Sequence, residues 1–205
     1  MMEQTKDNTW KNRTWNKKTT FVTLWASSHS DIEREKNDYY ATDPKAIIPL
    51  LKYIRKEDKI REPCCWEWHL SKELVKNWYN VISSDLIDRW YWTWWIDFLK
   101  LNKPFFWNIV TNPPYKYAME FVENSLELIP DWKIVCMFLK LTFLESIKRK
   151  KLFDRWQLRD VLVFSKRIQA AINWDLEMFK KSSAACYAWF IWEKWFIWKP
   201  TIDRI

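Results

Sequence analysis

The chain has no glycine, and 18 of its 205 residues are tryptophan. Average usage near 7% would supply about 14 glycines at this length. Without glycine, every left-handed turn or helix end must carry a Cβ that clashes with the backbone. The tryptophans stand where turn chemistry asks for glycine. Asn173-Trp174-Asp175 and Pro130-Asp131-Trp132 have the form of Asn-Gly and Asp-Gly turns. Asn77-Trp78 falls where a helix should stop. Arg89-Trp90-Tyr91-Trp92-Thr93-Trp94-Trp95 becomes an ordinary flexible loop once its indoles are replaced by glycine. Trp189 and Trp192 differ, because they continue an aromatic strand pattern. The pattern is the one expected if UGA codons that specify glycine were decoded as tryptophan. On that reading Trp189 and Trp192 are genuine, and the other 16 tryptophans mark glycine positions.

The length suits one α/β domain with a real core. Residues 1–20 are polar and basic, with Lys6, Lys11, Arg13, Lys17 and Lys18, and read as a disordered arm ahead of a domain spanning 21–205. A formal net charge of +8 points weakly to a polyanionic partner. No apolar run reaches the roughly 20 residues of a membrane span, and Met1 to Thr20 has no signal-peptide core. Cys64, Cys65, Cys136 and Cys186 follow no framework spacing, so free thiols and a cytoplasmic location are expected.

Strand and helix signals alternate. Thr20–Ala26 is a short extended piece. Asp43 is placed to cap a helix with Pro44 in its first turn, running to about Ile54 and disturbed by Pro49. Strands are expected at Lys59–Pro63, Tyr79–Ser84, Phe106–Thr111, Lys133–Leu139, Leu158–Phe164 and Ala185–Trp192, the last two closing the series. Helices are expected at His69–Asn77, Tyr117–Leu128 and Thr142–Phe153. Lys133–Leu139 is apolar enough to be central and buried on both faces. The alternation predicts a doubly wound, mostly parallel sheet.

Three clusters can carry chemistry. Glu62-Pro63-Cys64-Cys65-Trp66-Glu67-Trp68-His69-Leu70 sits between a strand and a helix. With glycine at 66 and 68, the backbone could approach a small ligand beside the helix N-terminus. Asp85 ends the next strand, where a carboxylate can hold ribose hydroxyls. Asp97 precedes the following strand and could meet an adenine amine, with Asp88 the rival for either role. Asn112-Pro113-Pro114-Tyr115 follows an apolar strand directly. An amine conjugated to a ring is a poor nucleophile unless its N–H groups are bound and its lone pair drawn out of conjugation. The Asn112 side-chain oxygen and the Pro113 carbonyl can do this. Pro113 and Pro114 stiffen the turn, and Tyr115 offers a flat face for an extruded base.

Together with Tyr39–Pro44, Phe138–Glu145 and Tyr187–Trp192, these segments resemble the small adenine-N6 methyltransferases of phages and mobile elements, over roughly Phe21 to Pro200. The resemblance implies a Rossmann-like methyltransferase fold and S-adenosylmethionine as cofactor. It implies DNA adenine as substrate and Asn112, Pro113, Pro114 and Tyr115 as the catalytic set. It places Tyr40, Thr42, Pro44, Glu62, Trp66, Trp68, Asp85, Asp97 and Asn112 around the cofactor. The chain departs from that family in lacking glycines and a large target-recognition domain. RNA adenine or protein glutamine are the other substrates such a turn serves. A non-catalytic DNA-binding protein is the alternative if Trp66 and Trp68 are genuine.

Pro63-Cys64 has the look of a cytosine-methylating nucleophile, but it lies within the cofactor cluster, on the wrong side of the ligand. His29, His69 and the cysteines lack metal-ligand spacing, so no metal is expected. Lys148-Arg149-Lys150-Lys151 reads equally as a phosphate grip and as a solvated helix face.

Overall fold

A computed structural model describes residues 41–66, 68–87, 94–156, 158–166, 168, 170–171 and 185–205. The basic arm, the Thr20–Ala26 segment, Tyr40, Asp88 and the turn at Trp174 lie outside the described residues.

Eight strands form one sheet. They are β2 (Lys59–Glu62), β3 (Asn80–Asp85), β4 (Trp94–Trp95), β5 (Asn108–Thr111), β6 (Ile134–Lys140), β7 (Leu158–Val163), β9 (Tyr187–Glu193) and β10 (Thr201–Arg204). Their order is β10-β7-β9-β6-β5-β2-β3-β4. Only β9 runs antiparallel to its neighbours β6 and β7. A separate antiparallel pair joins β1 (Ala41–Thr42) to β8 (Ala170–Ala171). The helices are α1 (His69–Lys76), α2 (Ala118–Leu128) and α3 (Ile147–Arg155). The doubly wound, mostly parallel sheet is therefore present.

Side chains alternate across β6 and β9, so the sheet buries both faces. Val135, Met137, Leu139, Phe190 and Trp192 pack with Phe121, Val122 and Leu126 of α2 and Leu152 of α3. Cys136, Phe138, Trp189 and Ile191 pack with Leu70 and Leu74 of α1 and with Ala46, Ile47 and Leu50. Each such large apolar side chain contributes about 1.5–3 kcal/mol by leaving water. The Trp189 indole N–H donates to the Ala46 carbonyl at 2.6 Å, which ties the segment before β2 to the central sheet.

Several expectations need correction. Asp43 does cap the segment that follows, accepting from the Lys45 amide at 2.9 Å. That segment is a 3-10 helix over Pro44–Leu50, shorter than the helix to Ile54. Pro49 lacks an N–H and its ring opposes the carbonyl four residues back, so an α-helical ladder cannot form there. The expected helix over Thr142–Phe153 divides into a 3-10 turn at Leu141–Leu144 and α3, separated at Ser146 with φ 104°. The loop reading of 89–95 ends in a strand, since Trp94 and Trp95 pair with Ser84 and Asp85. Ala185–Trp192 is not the final strand, because β10 follows and pairs in parallel with β7. All of β10 is exposed, so no apolar alternation marked it.

The backbone separates two kinds of tryptophan. Six described residues have positive φ: Trp66, Trp68, Trp78, Trp132, Trp195 and Ser146. Trp78 follows the C-cap of α1, and its amide donates to Val75 while the Tyr79 amide reaches back to Leu74. This is the Schellman closure, whose left-handed position favours glycine. Trp132, at φ 67°, is the third residue of a turn closed from Lys133 to Pro130. Trp78 and Trp132 are 88% and 74% exposed, whereas Trp189 and Trp192 are fully buried. The described tryptophans at 94, 95, 107, 156 and 198 have no positive φ, so the backbone does not mark them.

Candidate active site

In an open α/β sheet a ligand crevice forms where neighbouring strands send their connections in opposite directions. Here that point lies between β2 and β5, because the chain goes from β2 to β3 on one side and later returns to β5 on the other. The register aligns Glu62 with Ser83 on β3, and Ile60 and Arg61 with Asn108 and Ile109 on β5. The carboxyl ends of these strands therefore bring the Glu62–Trp68 cluster, Asp85 and Asn112 to one edge.

Glu62 is 1% exposed and accepts a hydrogen bond from the Ser71 hydroxyl of α1, which also contacts the Ser83 hydroxyl. Burial pushes its carboxyl up to about 8, with Asp85 adding to the rise and Ser71 opposing it. Asp85 is also buried. Its carboxylate accepts from the Trp66 amide at 3.0 Å and from the Ile87 amide at 3.1 Å. It thus clamps the turn after β2 to the end of β3. The turn is closed further by the Trp68 amide donating to the Cys65 carbonyl.

Trp66 and Trp68 flank this turn at φ 48° and 64°. Trp68 also lines a cleft of about 420 Å³ with Ser71, Lys72, Val75, Val81, Ile82 and Ser83. Asp97 lies before a 3-10 turn at Phe98–Lys100, accepts from the Leu99 amide at 3.2 Å and pairs with Lys100 at 3.0 Å. The Ile96 amide donates to the Asp85 carbonyl, which keeps this segment at the end of β3. Pro44 opens the 3-10 helix above the sheet.

Asn112 follows β5 directly and is 9% exposed. Its Nδ2 donates to Thr42 Oγ1 at 2.9 Å, and Thr42 is itself 3% exposed. This contact fixes the orientation of the carboxamide, whose oxygen is buried. Pro113 is buried, and Pro114 leads into a 3-10 turn at Tyr115–Tyr117. The Tyr115 ring lies 5.9 Å from that of Tyr187, and the Lys140 ammonium lies 5.3 Å from its centroid. Lys140 and Tyr187 are partners across β6 and β9, so the Tyr115 ring is braced from one side of the sheet end.

Lys140 and Tyr187 were not among the residues expected to form the site. Two signals bear on them: a charge ends an otherwise apolar central strand, and both residues lie in segments that carry the family resemblance. Cys64 is buried, and burial together with Asp85 and Glu62 pushes its thiol well up, the opposite of what a nucleophilic thiolate needs. No cluster of metal ligands occurs among the described residues. No helix among them is long and apolar enough to cross a membrane.

No protein-family model and no curated protein matches the chain by sequence. Solved structures do match in shape. A Listeria monocytogenes protein assigned to the class I S-adenosylmethionine-dependent methyltransferases is 14% identical, with a TM-score of 0.58 over 92% of this chain and 72% of its own. A modification subunit assigned to a type I restriction enzyme of Vibrio vulnificus is 8% identical, with a TM-score of 0.59 over 92% of this chain. The present chain spans half the length of that subunit. A Pyrococcus horikoshii protein assigned as an RNA methyltransferase is 11% identical, with a TM-score of 0.56 over 86% of this chain and 98% of its own. At these identities the likeness is one of fold, and the chain has the Rossmann-like fold of S-adenosylmethionine-dependent methyltransferases.

Proposed function

We propose that the chain, with glycine at positions 66 and 68, transfers a methyl group from S-adenosylmethionine to the N6 amine of adenine in DNA. The observation that carries this reading is Asn112, buried at the end of β5 with its carboxamide oriented by Thr42. An acceptor fixed in this way can bind an amine as its lone pair leaves conjugation and positive charge develops on N6. Pro113 supplies the second acceptor through its carbonyl. Tyr115 supplies a stacking surface for the base, which must leave the duplex to be reached.

The residues present fit the cofactor once the two indoles are glycine. Trp66 and Trp68 both occupy left-handed backbone in the turn that the Asp85 carboxylate holds, and glycine there would remove both indoles. The buried Glu62 carboxyl, held largely protonated, suits a cationic ligand that would restore its charge. Glu62 and Asp85 would hold the cofactor's polar groups, with Asp97 near its adenine. S-adenosylmethionine supplies an electrophilic methyl group on a sulfonium. The protein's part is to hold the amine in line with it, with no covalent enzyme intermediate.

The test uses the full-length chain carrying Trp66→Gly and Trp68→Gly. Calorimetry should show S-adenosylmethionine binding, and digestion of treated mixed-sequence DNA should yield N6-methyladenine. Methylation found only in RNA, or only on protein glutamine, would replace the DNA reading. If the tryptophans at 66 and 68 are native, indoles in the turn held by Asp85 favour a DNA-binding protein that takes up no cofactor, and the unsubstituted chain would neither bind S-adenosylmethionine nor methylate DNA.

A further inference from the structure

The segment after β6 is built in an unusual way. Lys140 ends the strand with its ammonium near the Tyr115 ring, and one 3-10 turn later the chain reaches Ser146. Ser146 has φ 104°, and among described residues it is the one with positive φ that is not tryptophan. For a residue with a Cβ this region is strained, so the surrounding structure must impose it. Arg149 does so. Its guanidinium donates to the carbonyls of Thr142, Phe143 and Glu145 and lies 4.7 Å from the Phe143 ring centroid. Ser146 caps α3 by accepting from the Lys148 amide at 3.2 Å.

The pinned loop displays Ile147 at 91% exposure, the most exposed of the large hydrophobic side chains described, with Leu144 at 41% beside it. The basic run divides by role. Arg149 is occupied by the loop and Lys150 pairs with Asp154 at 2.6 Å, while Lys148 and Lys151 are exposed. A β-branched side chain followed by exposed Lys148 and Lys151, one 3-10 turn past a strand whose last residue, Lys140, lies beside the Tyr115 ring, suits an anionic partner with an apolar interior. A nucleic-acid duplex has both features: phosphates outside and stacked bases within.

We propose that Ile147 is the wedge that enters the base stack when the target adenine is extruded, with Lys148 and Lys151 holding the flanking phosphates. This rests on the adenine reading above. Extrusion leaves a gap whose neighbours have lost stacking. An apolar group placed there recovers part of that loss, and a short β-branched one has little side-chain freedom to lose in doing so.

The test compares mixed-sequence duplex DNA with the same DNA heat-denatured, using the full-length chain with Trp66→Gly and Trp68→Gly. Ile147→Ala should slow methylation of duplex by roughly tenfold to a hundredfold, the scale of a few kcal/mol of unstacking. It should leave the rate on denatured DNA within about twofold, because those bases are already unpaired. Ile147→Leu should retain most duplex activity. Lys148→Ala with Lys151→Ala should weaken duplex binding and flatten its salt dependence. Equal loss on both DNAs, or no loss on either, would overturn the wedge while the parent's methylation upheld the adenine reading. A change in sedimentation without a change in duplex activity would also overturn it, assigning Ile147 to contact between protein copies. No methyladenine from the parent on either DNA would overturn both readings together.

Discussion

Trp78→Gly should stabilise this protein, although it deletes the largest side chain. Trp78 sits at φ 64° just beyond the C-cap of α1, where its own amide and that of Tyr79 close the helix. A Cβ in left-handed backbone costs about 1–2 kcal/mol. The indole is 88% exposed, so it returns little through burial. The extra freedom glycine gives the unfolded chain takes back about 0.5–1 kcal/mol. The net expectation is about 1 kcal/mol of added stability, or a Tm higher by roughly 2–4 °C for a chain of this size. Trp189→Gly is the control. That indole is fully buried and donates to the Ala46 carbonyl, so its loss should cost about 3–5 kcal/mol through lost burial and the cavity left behind. Urea unfolding followed by circular dichroism compares both variants without relying on tryptophan fluorescence. A lower midpoint for Trp78→Gly would refute the glycine reading at this position, and so would shifts of the same sign in both variants.

Two further outcomes concern the site. Asn112→Ala in the chain carrying Trp66→Gly and Trp68→Gly should lower kcat by about 10²–10³-fold, as for loss of a comparable electrostatic group. Thr42→Val should lower it by roughly tenfold or more with little change in cofactor Kd, since it frees the carboxamide to rotate, and Thr42→Ser should restore activity; steady-state kinetics beside calorimetry separates these, and a loss confined to cofactor affinity would make Thr42 a cofactor contact instead. The fourth prediction is a pH dependence. Glu62 keeps its proton in the folded state up to about 8, while an ordinary glutamate ionises above 4.5, so the folded state binds the extra proton between these values. Stability should therefore fall as pH rises through that window, and Glu62→Gln should flatten the slope of urea midpoint against pH. An unchanged slope would mean that Glu62 is charged when buried.

The sheet was legible because its central strands are marked by composition. Ile134–Lys140 and Tyr187–Glu193 are apolar on both faces, which only a covered sheet interior tolerates. What sequence missed has physical causes. β10 is exposed along its length and joins the sheet through backbone pairing with β7, so it leaves no apolar pattern. The break at Ser146 is imposed by Arg149 reaching carbonyls of the preceding turn, a tertiary constraint invisible to helical periodicity. At the site, residue types were readable but their partners were not. Thr42 and Asn112 are far apart in the chain, and only the fold shows that they share a hydrogen bond. Likewise the sequence suggests a ribose contact at Asp85, while its carboxylate also clamps the turn at Trp66.

The tryptophans bear on function as much as on folding. An indole tolerated for its packing should be buried at ordinary φ, as Trp189 and Trp192 are. Trp66, Trp68, Trp78, Trp132 and Trp195 instead share the one backbone region where a side chain is a liability. Chance placement of tryptophan would have no reason to select helix closures and tight turns while sparing the core strands. A common origin in glycine accounts for all five at once, two of them in the turn after β2. That turn meets the Asp85 carboxylate through the Trp66 backbone amide, a contact that glycine preserves. The same replacement that relieves backbone strain at Trp68 removes an indole from the wall of the cleft between α1 and β3. Stability measured at Trp78 and cofactor binding measured at Trp66 and Trp68 therefore test one cause through independent observables.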